Sequence, residues 1–162
     1  MPRVERLSPK RHDRAGFACG EPTLDRYLRE QAAQHHRDGI ATTHVLVDAS
    51  SPARILGYYT LSAAQLQLSE LQQADRLRLP RYPVPAVRMG RLAVCVDEQR
   101  QGYGGLLLAH AVARCLDLRG QLGVRVLLVD ALDERAAAFY RAYGFRRAAE
   151  SVRVLYLPLG KA

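Results

Sequence analysis

The chain has 162 residues, of which 48% are hydrophobic and 25% are charged, proportions close to the average for globular proteins. This length matches one domain, so we expect residues 1–162 to fold as a single domain whose core needs no disulfide or metal for stability. The composition excludes disorder, collagen and a coiled coil as the main state, and 24 lysines and arginines against 16 acids give a net charge of +8, which favours an anionic partner.

The first part of the chain predicts an edge strand, one helix and a β-hairpin. Residues 4–7 suit the strand, and apolar residues at helical spacing predict a helix over 23–38, with Thr23 as its N-cap and Gly39 as its stop. Two runs rich in β-forming residues then flank a turn of small residues and proline, which predicts a hairpin. Its three parts are 43–48, 49–53 and 54–62.

The remaining chain alternates strands and helices. A weakly helical segment at 69–76 leads to 79–85, where three prolines predict an extended loop. The elements predicted after it are a strand over 87–96, a glycine-rich turn over 99–105, a helix over 103–118, a buried strand over 124–129, a helix over 133–143 ended by Gly144, and a strand over 152–157. A hairpin followed by alternating strands and helices predicts an α/β domain with a mixed sheet.

The strongest local motif is the glycine-rich turn, which reads Gln99-Arg-Gln-Gly-Tyr-Gly-Gly105. A turn of this kind before a helix directs several backbone N–H groups and the positive end of the helix dipole at one point, which suits a pyrophosphate. A Walker A loop is excluded because Gly104 is followed by glycine and leucine, and a Rossmann fingerprint is excluded because Leu107 stands where its third glycine belongs. The pattern Q/R-x-x-G-x-G remains, with a plain tight turn as the alternative.

Arginines are concentrated between residues 76 and 91. Only Lys10 and Lys161 are lysines, so 22 of the 24 basic residues are arginines. The stretch contains no acid, and its arginines are Arg76, Arg78, Arg81, Arg88 and Arg91. Because the guanidinium fork matches phosphate oxygens, we predict a nucleic-acid-binding rim there, with a solvated surface as the alternative.

Two motifs together resemble the GNAT acetyltransferase superfamily, over residues 87–145. They are the glycine-rich turn and the segment Ala136-Ala-Ala-Phe-Tyr-Arg-Ala-Tyr-Gly-Phe145. The resemblance implies the GNAT fold and acetyl-CoA as the cosubstrate. It places the pantetheine arm along Leu92, Ala93 and Val94. It places the pyrophosphate at Arg100, Gln101, Gly102, Tyr103, Gly104 and Gly105.

The same resemblance implies a role for a tyrosine near the end of the segment. A family tyrosine that matches Tyr140 often protonates the departing thiolate; the alternative is a core tyrosine bonded to backbone. Asp133 stands where many members have an asparagine that contacts CoA, and Cys95 stands where an acid is common. Tyr143 is expected to pack instead of reacting, and helical spacing favours a partly buried His110 over a catalytic one.

Four further segments resemble the GNAT toxins of type II toxin–antitoxin modules, and Val129-Asp-Ala-Leu-Asp-Glu134 fits the same group. They are Phe17-x-Cys-Gly-x-x-x-Leu-Asp-x-Tyr-Leu28, Gly57-Tyr-Tyr-Thr-Leu-Ser62, Leu79-Pro-Arg-Tyr-Pro-Val-Pro-Ala86 and Gly90-Arg-Leu-Ala-Val94. This resemblance implies an N-acetyltransferase that acetylates the amino group of aminoacyl-tRNA, with a ribbon-helix-helix antitoxin as partner and a homodimer as the assembly. Two alternatives stay open: a GNAT N-acetyltransferase for a small-molecule amine or a protein amino group, and a non-catalytic acyl-CoA sensor.

The implied reaction is direct attack of an amine on a thioester, to which positioning contributes roughly 7–11 kcal/mol. An α-amino group has a pKa of about 7.7–8.0, and the neighbouring ester lowers it, so water can take the proton and no strong general base is required. We expect a backbone N–H near Val94 to bind the oxyanion and Tyr140 to act as the general acid. No metal is expected, because further ligands are missing near the histidines His35, His36 and His44.

Neither a membrane span nor a secretory signal is predicted. The best apolar run, 122–129, is interrupted by Arg125 and is too short to cross a bilayer, and the first residues are charged. The odd number and wide spacing of the cysteines predict buried free thiols at Cys19, Cys95 and Cys115. We therefore expect a cytoplasmic protein that does not contact a membrane.

Overall fold

The computed structural model describes residues 1–77, 79–149, 151 and 153–160. The α-helices in this part of the chain are α1 Pro22–Glu30, α2 Ala32–Arg37, α3 Gln73–Arg76, α4 Tyr103–Leu118 and α5 Glu134–Ala142, and two 3-10 turns lie at Leu68–Glu70 and Val96–Glu98. The strands are β1 Pro2–Arg6, β2 Thr42–Asp48, β3 Gly57–Leu66, β4 Val84–Val94, β5 Val126–Asp130, β6 Arg146–Arg147 and β7 Val154–Pro158. Arg78 and residue 152, the predicted start of the last strand, lie outside the described residues.

The strands form one mixed sheet in the order β1-β2-β3-β4-β5-β7-β6. β4 and β5 pair in parallel, whereas β1–β2, β2–β3, β5–β7 and β6–β7 are antiparallel. The predicted α/β fold with a mixed sheet is confirmed. The chain divides into two compact units, Met1–Ser62 with Gly90–Ala111 and Ala63–Met89 with Val112–Ala162. The single domain over 1–162 stays a prediction.

The first unit contains the hairpin and the helices α1 and α2. β1 lies at the sheet edge, and β2 pairs with β3 with Thr43 opposite Thr60. Successive side chains of a strand face opposite sides, so alternate residues of β2 share the core face. The core cluster of this unit includes Tyr27, Leu28, Ala32, Val45, Val47, Tyr58, Ala93 and Cys95. The predicted edge strand and hairpin are confirmed.

The helix predicted over 23–38 is wrong in two details. It consists of two helices, α1 and α2, which are separated at Gln31, and its N-cap is Glu21 instead of Thr23. Pro22 explains the earlier start, because the first helical N–H has no partner in the helix and proline loses nothing there. Gly39 follows the end of α2 with a φ of +72°, as expected for a stop.

The second unit contains the parallel strand pair. β4 and β5 pair from Ala86 opposite Val126 to Met89 opposite Val129. Residues 126–129 are all buried, which confirms the strand predicted to be covered on both faces. On its other edge β5 pairs with β7, which pairs in turn with β6.

Two elements of the second unit differ from the prediction. β4 begins at Val84, inside the proline-rich run that was expected to be irregular. Pro85 fits there because its carbonyl oxygen still accepts a hydrogen bond from the Arg125 N–H at 2.9 Å, and a missing donor is tolerated near a strand start. β6 has only two residues, too few for a period-two pattern to appear in the sequence.

The three cysteines are buried free thiols, as predicted. Across the described ranges, no helix combines the length and the apolar character needed to cross a bilayer. In the same ranges, no three side chains among His, Cys, Asp and Glu are grouped so that they could hold a metal ion.

Candidate active site

The glycine-rich turn lies between β4 and α4, as predicted, and α4 begins at Tyr103. Arg100 and Gly102 both have a positive φ, of 71° and 81°. A Cβ added at Gly102 meets nothing within 4 Å, so glycine is needed there for its backbone conformation and not for space. The amide of Leu106 makes the first helical hydrogen bond, to the Gly102 carbonyl at 3.1 Å.

The start of α4 therefore leaves backbone donors without helical partners. The N–H groups of Tyr103, Gly104 and Gly105 precede the first helical bond, and they carry the positive end of the helix dipole. Arg100 adds an exposed guanidinium at the same turn. The turn thus combines free N–H donors with positive charge, which is the chemistry of an anion site.

Two adjacent side chains fix the entry to the turn. The Nε2 amide of Gln99 donates to the Val94 carbonyl at 3.1 Å and to the Cys19 carbonyl at 3.0 Å. The carboxylate of Glu98 accepts from Arg54 at 2.9 Å and from the side chain of Gln101 at 2.8 Å. These contacts of Glu98 and Gln99 were missed from the sequence, where only the position of Gln99 in the motif gave a signal.

The strand before the turn continues beyond its ladder with β5. The ladder of β4 with β5 ends at Met89, and Leu92, Ala93 and Val94 follow. The Cys95 N–H donates to the Leu56 carbonyl at 2.9 Å. Backbone groups of successive strand residues point to opposite sides, so the N–H of Val94 points away from Leu56.

Glycine at position 57 lets this part of β4 approach closely. A Cβ at Gly57 would lie 2.7 Å from the Ala93 carbonyl oxygen and 2.8 Å from Cδ1 of Leu107. Both distances are shorter than real Cβ contacts, so any larger residue would displace Ala93 or Leu107. Gly57 therefore fixes the position of the strand segment next to the turn.

Tyr140 and Asp133 belong to the second unit, on and beside α5. Tyr140 is buried, with its ring 5.4 Å from that of Phe145, and within the described part of the chain its hydroxyl has no hydrogen-bond partner. Burial raises the pKa of this phenol. Asp133 is the N-cap of α5, and its Oδ1 accepts from the Ala136 N–H at 2.8 Å. Tyr143 packs, as predicted, with its ring centroid 5.1 Å from that of Phe139, although it is 51% exposed.

The predicted arginine rim is divided by its contacts. Arg76 donates to the backbone carbonyls of Leu71 and Ser69, each at 2.8 Å. Arg88 forms an ion pair with Asp130. Arg81 is exposed and makes no hydrogen bond with the described residues. Arg78 lies outside those residues, so the rim stays a prediction.

Arg91 belongs to the first unit and stacks on an aromatic ring. Its Cζ lies 3.4 Å from the ring centroid of Tyr27. The Tyr27 hydroxyl is in turn 3.0 Å from Nδ1 of His35. Burial raises the pKa of the Tyr27 phenol, and the nearby guanidinium opposes this shift. The sequence places Arg91 on a strand and Tyr27 on a helix, and no spacing rule predicts their contact.

His110 is partly buried in α4, as predicted. Its Nδ1 lies 2.7 Å from the hydroxyl of Tyr59, and the Tyr59 ring stacks on His44 at 4.9 Å. This contact of the first unit connects α4, which carries the glycine-rich turn at its start, to the strands β2 and β3.

Comparison with known proteins agrees with this geometry. A family model described as acetyltransferase (GNAT) domain matches residues 53–147. A tRNA-acetylating toxin of Mycobacterium tuberculosis (strain ATCC 25618 / H37Rv) is 35% identical over 133 residues, which are 82% of this chain and 78% of that protein.

Solved structures match over nearly the whole chain. AtaT complexed with acetyl-methionyl-tRNAfMet has a TM-score of 0.91 and 30% identity, covering 98% of this chain and 95% of that one. A tyrosine-to-phenylalanine mutant of the AtaT toxin, bound to the C-terminus of the antitoxin AtaR and acetyl-CoA, has a TM-score of 0.82 and 29% identity, covering 98% and 93%. The match to the family model alone spans more than half of the chain, and this chain belongs to the GNAT acetyltransferase family.

Proposed function

We propose that this chain transfers the acetyl group of acetyl-CoA to the α-amino group of aminoacyl-tRNA, as the toxin of a toxin–antitoxin module. The observation that carries the proposal is that β4 continues beyond its ladder with β5 and is followed by the anion-binding turn at the start of α4. The similarity to a tRNA-acetylating toxin and to AtaT supports this acceptor and an antitoxin partner. We extend the proposal to residues 1–162 as one functional domain and to a homodimer.

The turn binds the pyrophosphate of acetyl-CoA, and the strand binds its pantetheine arm. The pyrophosphate accepts hydrogen bonds from the N–H groups of Tyr103, Gly104 and Gly105, and the guanidinium of Arg100 adds charge. Gln101 and Gly102 shape the turn. The pantetheine arm lies along Leu92, Ala93 and Val94 as an added strand, because this backbone continues beyond the ladder with β5.

The chemistry needs one bond formed and one broken. The neutral amine nitrogen attacks the thioester carbonyl carbon, and the Val94 N–H stabilises the resulting oxyanion. The C–S bond then breaks, the CoA sulfur leaves as a thiolate, and water takes the amine proton. Because burial raises its pKa, Tyr140 is neutral at working pH, so it assists as a hydrogen-bond donor to the thiolate sulfur.

The acceptor is an anionic nucleic acid, which suits the net charge of +8. Arg81 is exposed and unpaired among the described residues, and we assign it to the tRNA backbone together with Arg78. Arg76 and Arg88 already have protein partners, so they reach phosphate only if those contacts are shared. The contact of Asp133 with CoA also stays a proposal. It would use Oδ2, because Oδ1 already accepts the capping hydrogen bond of α5.

The test is acetyl transfer to a total pool of charged tRNA. The protein is incubated with acetyl-CoA and the pool, the ester is hydrolysed, and mass spectrometry identifies any N-acetyl amino acid. We expect an N-acetyl amino acid as product. If only particular amino acids are acetylated, they identify which aminoacyl-tRNA is the acceptor. No product from a protein that still binds acetyl-CoA would contradict the tRNA acceptor.

A further inference from the structure

Arg91 differs from Arg76 and Arg88 because it contacts an aromatic ring and forms neither a hydrogen bond nor an ion pair with the described residues. Its guanidinium lies over Tyr27 with Cζ 3.4 Å from the ring centroid. Within the described residues, no carboxylate oxygen lies within 4 Å of it. Arg88, three positions earlier on the same strand, has Asp130 as its counter-ion.

The ring under Arg91 is buried and has further contacts of its own. Tyr27 is 2% exposed, and its hydroxyl contacts Nδ1 of His35 at 3.0 Å. The His35 ring packs against Tyr27 edge-on, with centroids 5.3 Å apart. A stacked guanidinium keeps its N–H edge free for other partners, so Arg91 is fixed in place while its donors remain available.

The position of Arg91 relates it to the reacting end of the acceptor. It lies three residues before Val94 on β4, which corresponds to about 10 Å along an extended strand. In aminoacyl-tRNA, the first phosphodiester is separated from the α-amino group by the ester and one ribose. With the thioester carbonyl at the Val94 N–H, as proposed, the backbone of Arg91 lies at about the distance that separates the reacting end of the acceptor from that phosphodiester.

We infer that Arg91, stacked on Tyr27, binds the phosphodiester on the 5′ side of the terminal adenosine of aminoacyl-tRNA. The inference rests on the proposed function and deepens it. It assigns to one residue the recognition of a nucleotide at the reacting end, separate from the charge that attracts the body of the tRNA. A bidentate contact from a planar fork to a phosphate also fixes orientation, which delivers the amine in line with the thioester.

The experiment compares two small acceptors that differ only in this phosphodiester. One is an adenosine esterified with an amino acid, and the other is the same ester on the dinucleotide CpA. For each, kcat/KM is measured at saturating acetyl-CoA with wild-type protein, Arg91→Gln, Arg91→Lys and the control Arg6→Gln. Arg6 is exposed on β1 and undergoes the same change of charge.

The readout is the ratio of kcat/KM for the dinucleotide ester to that for the nucleoside ester. We expect wild type and Arg6→Gln to prefer the dinucleotide by roughly 10- to 100-fold, the range for a hydrogen bond to a charged group. Arg91→Gln reduces the ratio to near one, and Arg91→Lys gives an intermediate value because it keeps charge without the fork. A folding defect lowers both rates together and leaves the ratio unchanged.

Failure of the inference about Arg91 and failure of the proposed function give different results. If Arg91→Gln keeps the wild-type ratio, or if wild type shows no preference, the inference about Arg91 is wrong while the acceptor class stands. If wild-type protein acetylates neither ester nor charged tRNA, the proposed function itself is wrong.

Discussion

The side chain of Gln99 and the carbonyl of Val94 are joined by a hydrogen bond of 3.1 Å between Nε2 and O. The same nitrogen donates to the Cys19 carbonyl at 3.0 Å. The end of β4 and the glycine-rich turn are thus connected through a side chain as well as through the backbone. The backbone that we assign to the pantetheine arm and the turn that we assign to the pyrophosphate keep a fixed separation as a result.

Replacement of Gln99 by alanine tests this connection. Gln99→Ala removes both hydrogen bonds, each worth roughly 0.5–1.5 kcal/mol, and we expect the Kd for acetyl-CoA to rise about tenfold by isothermal titration calorimetry. Gln65→Ala is the control, because Gln65 is exposed on β3 and makes no hydrogen bond with the described residues. Equal affinities of the two variants would show that Gln99 does not position the cofactor site.

Tyr140→Phe tests the hydrogen-bond donor that we assign to the leaving thiolate. The substitution keeps the ring against Phe145 and removes the hydroxyl, so we expect kcat to fall roughly 100-fold while the Kd for acetyl-CoA is unchanged. Tyr143→Phe is the matched control, because Tyr143 is half exposed at the C-cap of α5. Loss of acetyl-CoA binding in Tyr140→Phe, or an unchanged kcat, would remove the assigned role.

The pH profile gives a second readout of Tyr140. Its raised pKa keeps the phenol protonated beyond the ordinary value of about 10, so its ionisation cannot reduce the rate at lower pH. The rate is expected to rise with pH as the acceptor amine loses its proton, in wild type and in Tyr140→Phe alike. A falling limb below pH 9 that is present in wild type and absent in Tyr140→Phe would contradict this assignment.

Local signals in the sequence predicted the elements that carry the site. The limits of α4 at Tyr103 and Leu118 were predicted as they are found, because glycines precede the helix and apolar residues repeat along it. The break at Gln31 and the two-residue β6 have no comparable pattern, so they were missed.

Contacts between distant residues were beyond prediction. The stacking of Arg91 on Tyr27 and the bond from Gln99 to the Cys19 carbonyl depend on how elements meet, which one sequence does not show. The prediction treated the arginines of residues 76–91 as one rim. It did not include the ion pair of Arg88 with Asp130, which is distant in the chain.

Gly57→Ala is expected to destabilise the first unit. The new Cβ would lie 2.7 Å from the Ala93 carbonyl oxygen, and overpacking of this kind costs roughly 1–3 kcal/mol. Urea unfolding measures the free energy of unfolding, and Gly120→Ala is the control because its nearest contact would be an ordinary 3.7 Å. A stability of Gly57→Ala equal to that of the control would mean that β4 has room to move.

The central claim is that acetyl groups pass from acetyl-CoA to charged tRNA. The most direct measurement follows radiolabelled acetyl into three acceptors in parallel: aminoacyl-tRNA, the same tRNA after deacylation, and the free amino acids. We expect label in aminoacyl-tRNA alone, linked through an amide that survives ester hydrolysis and released as N-acetyl amino acid. Label that enters free amino acids as fast as charged tRNA, or label that stays with deacylated tRNA, would contradict it.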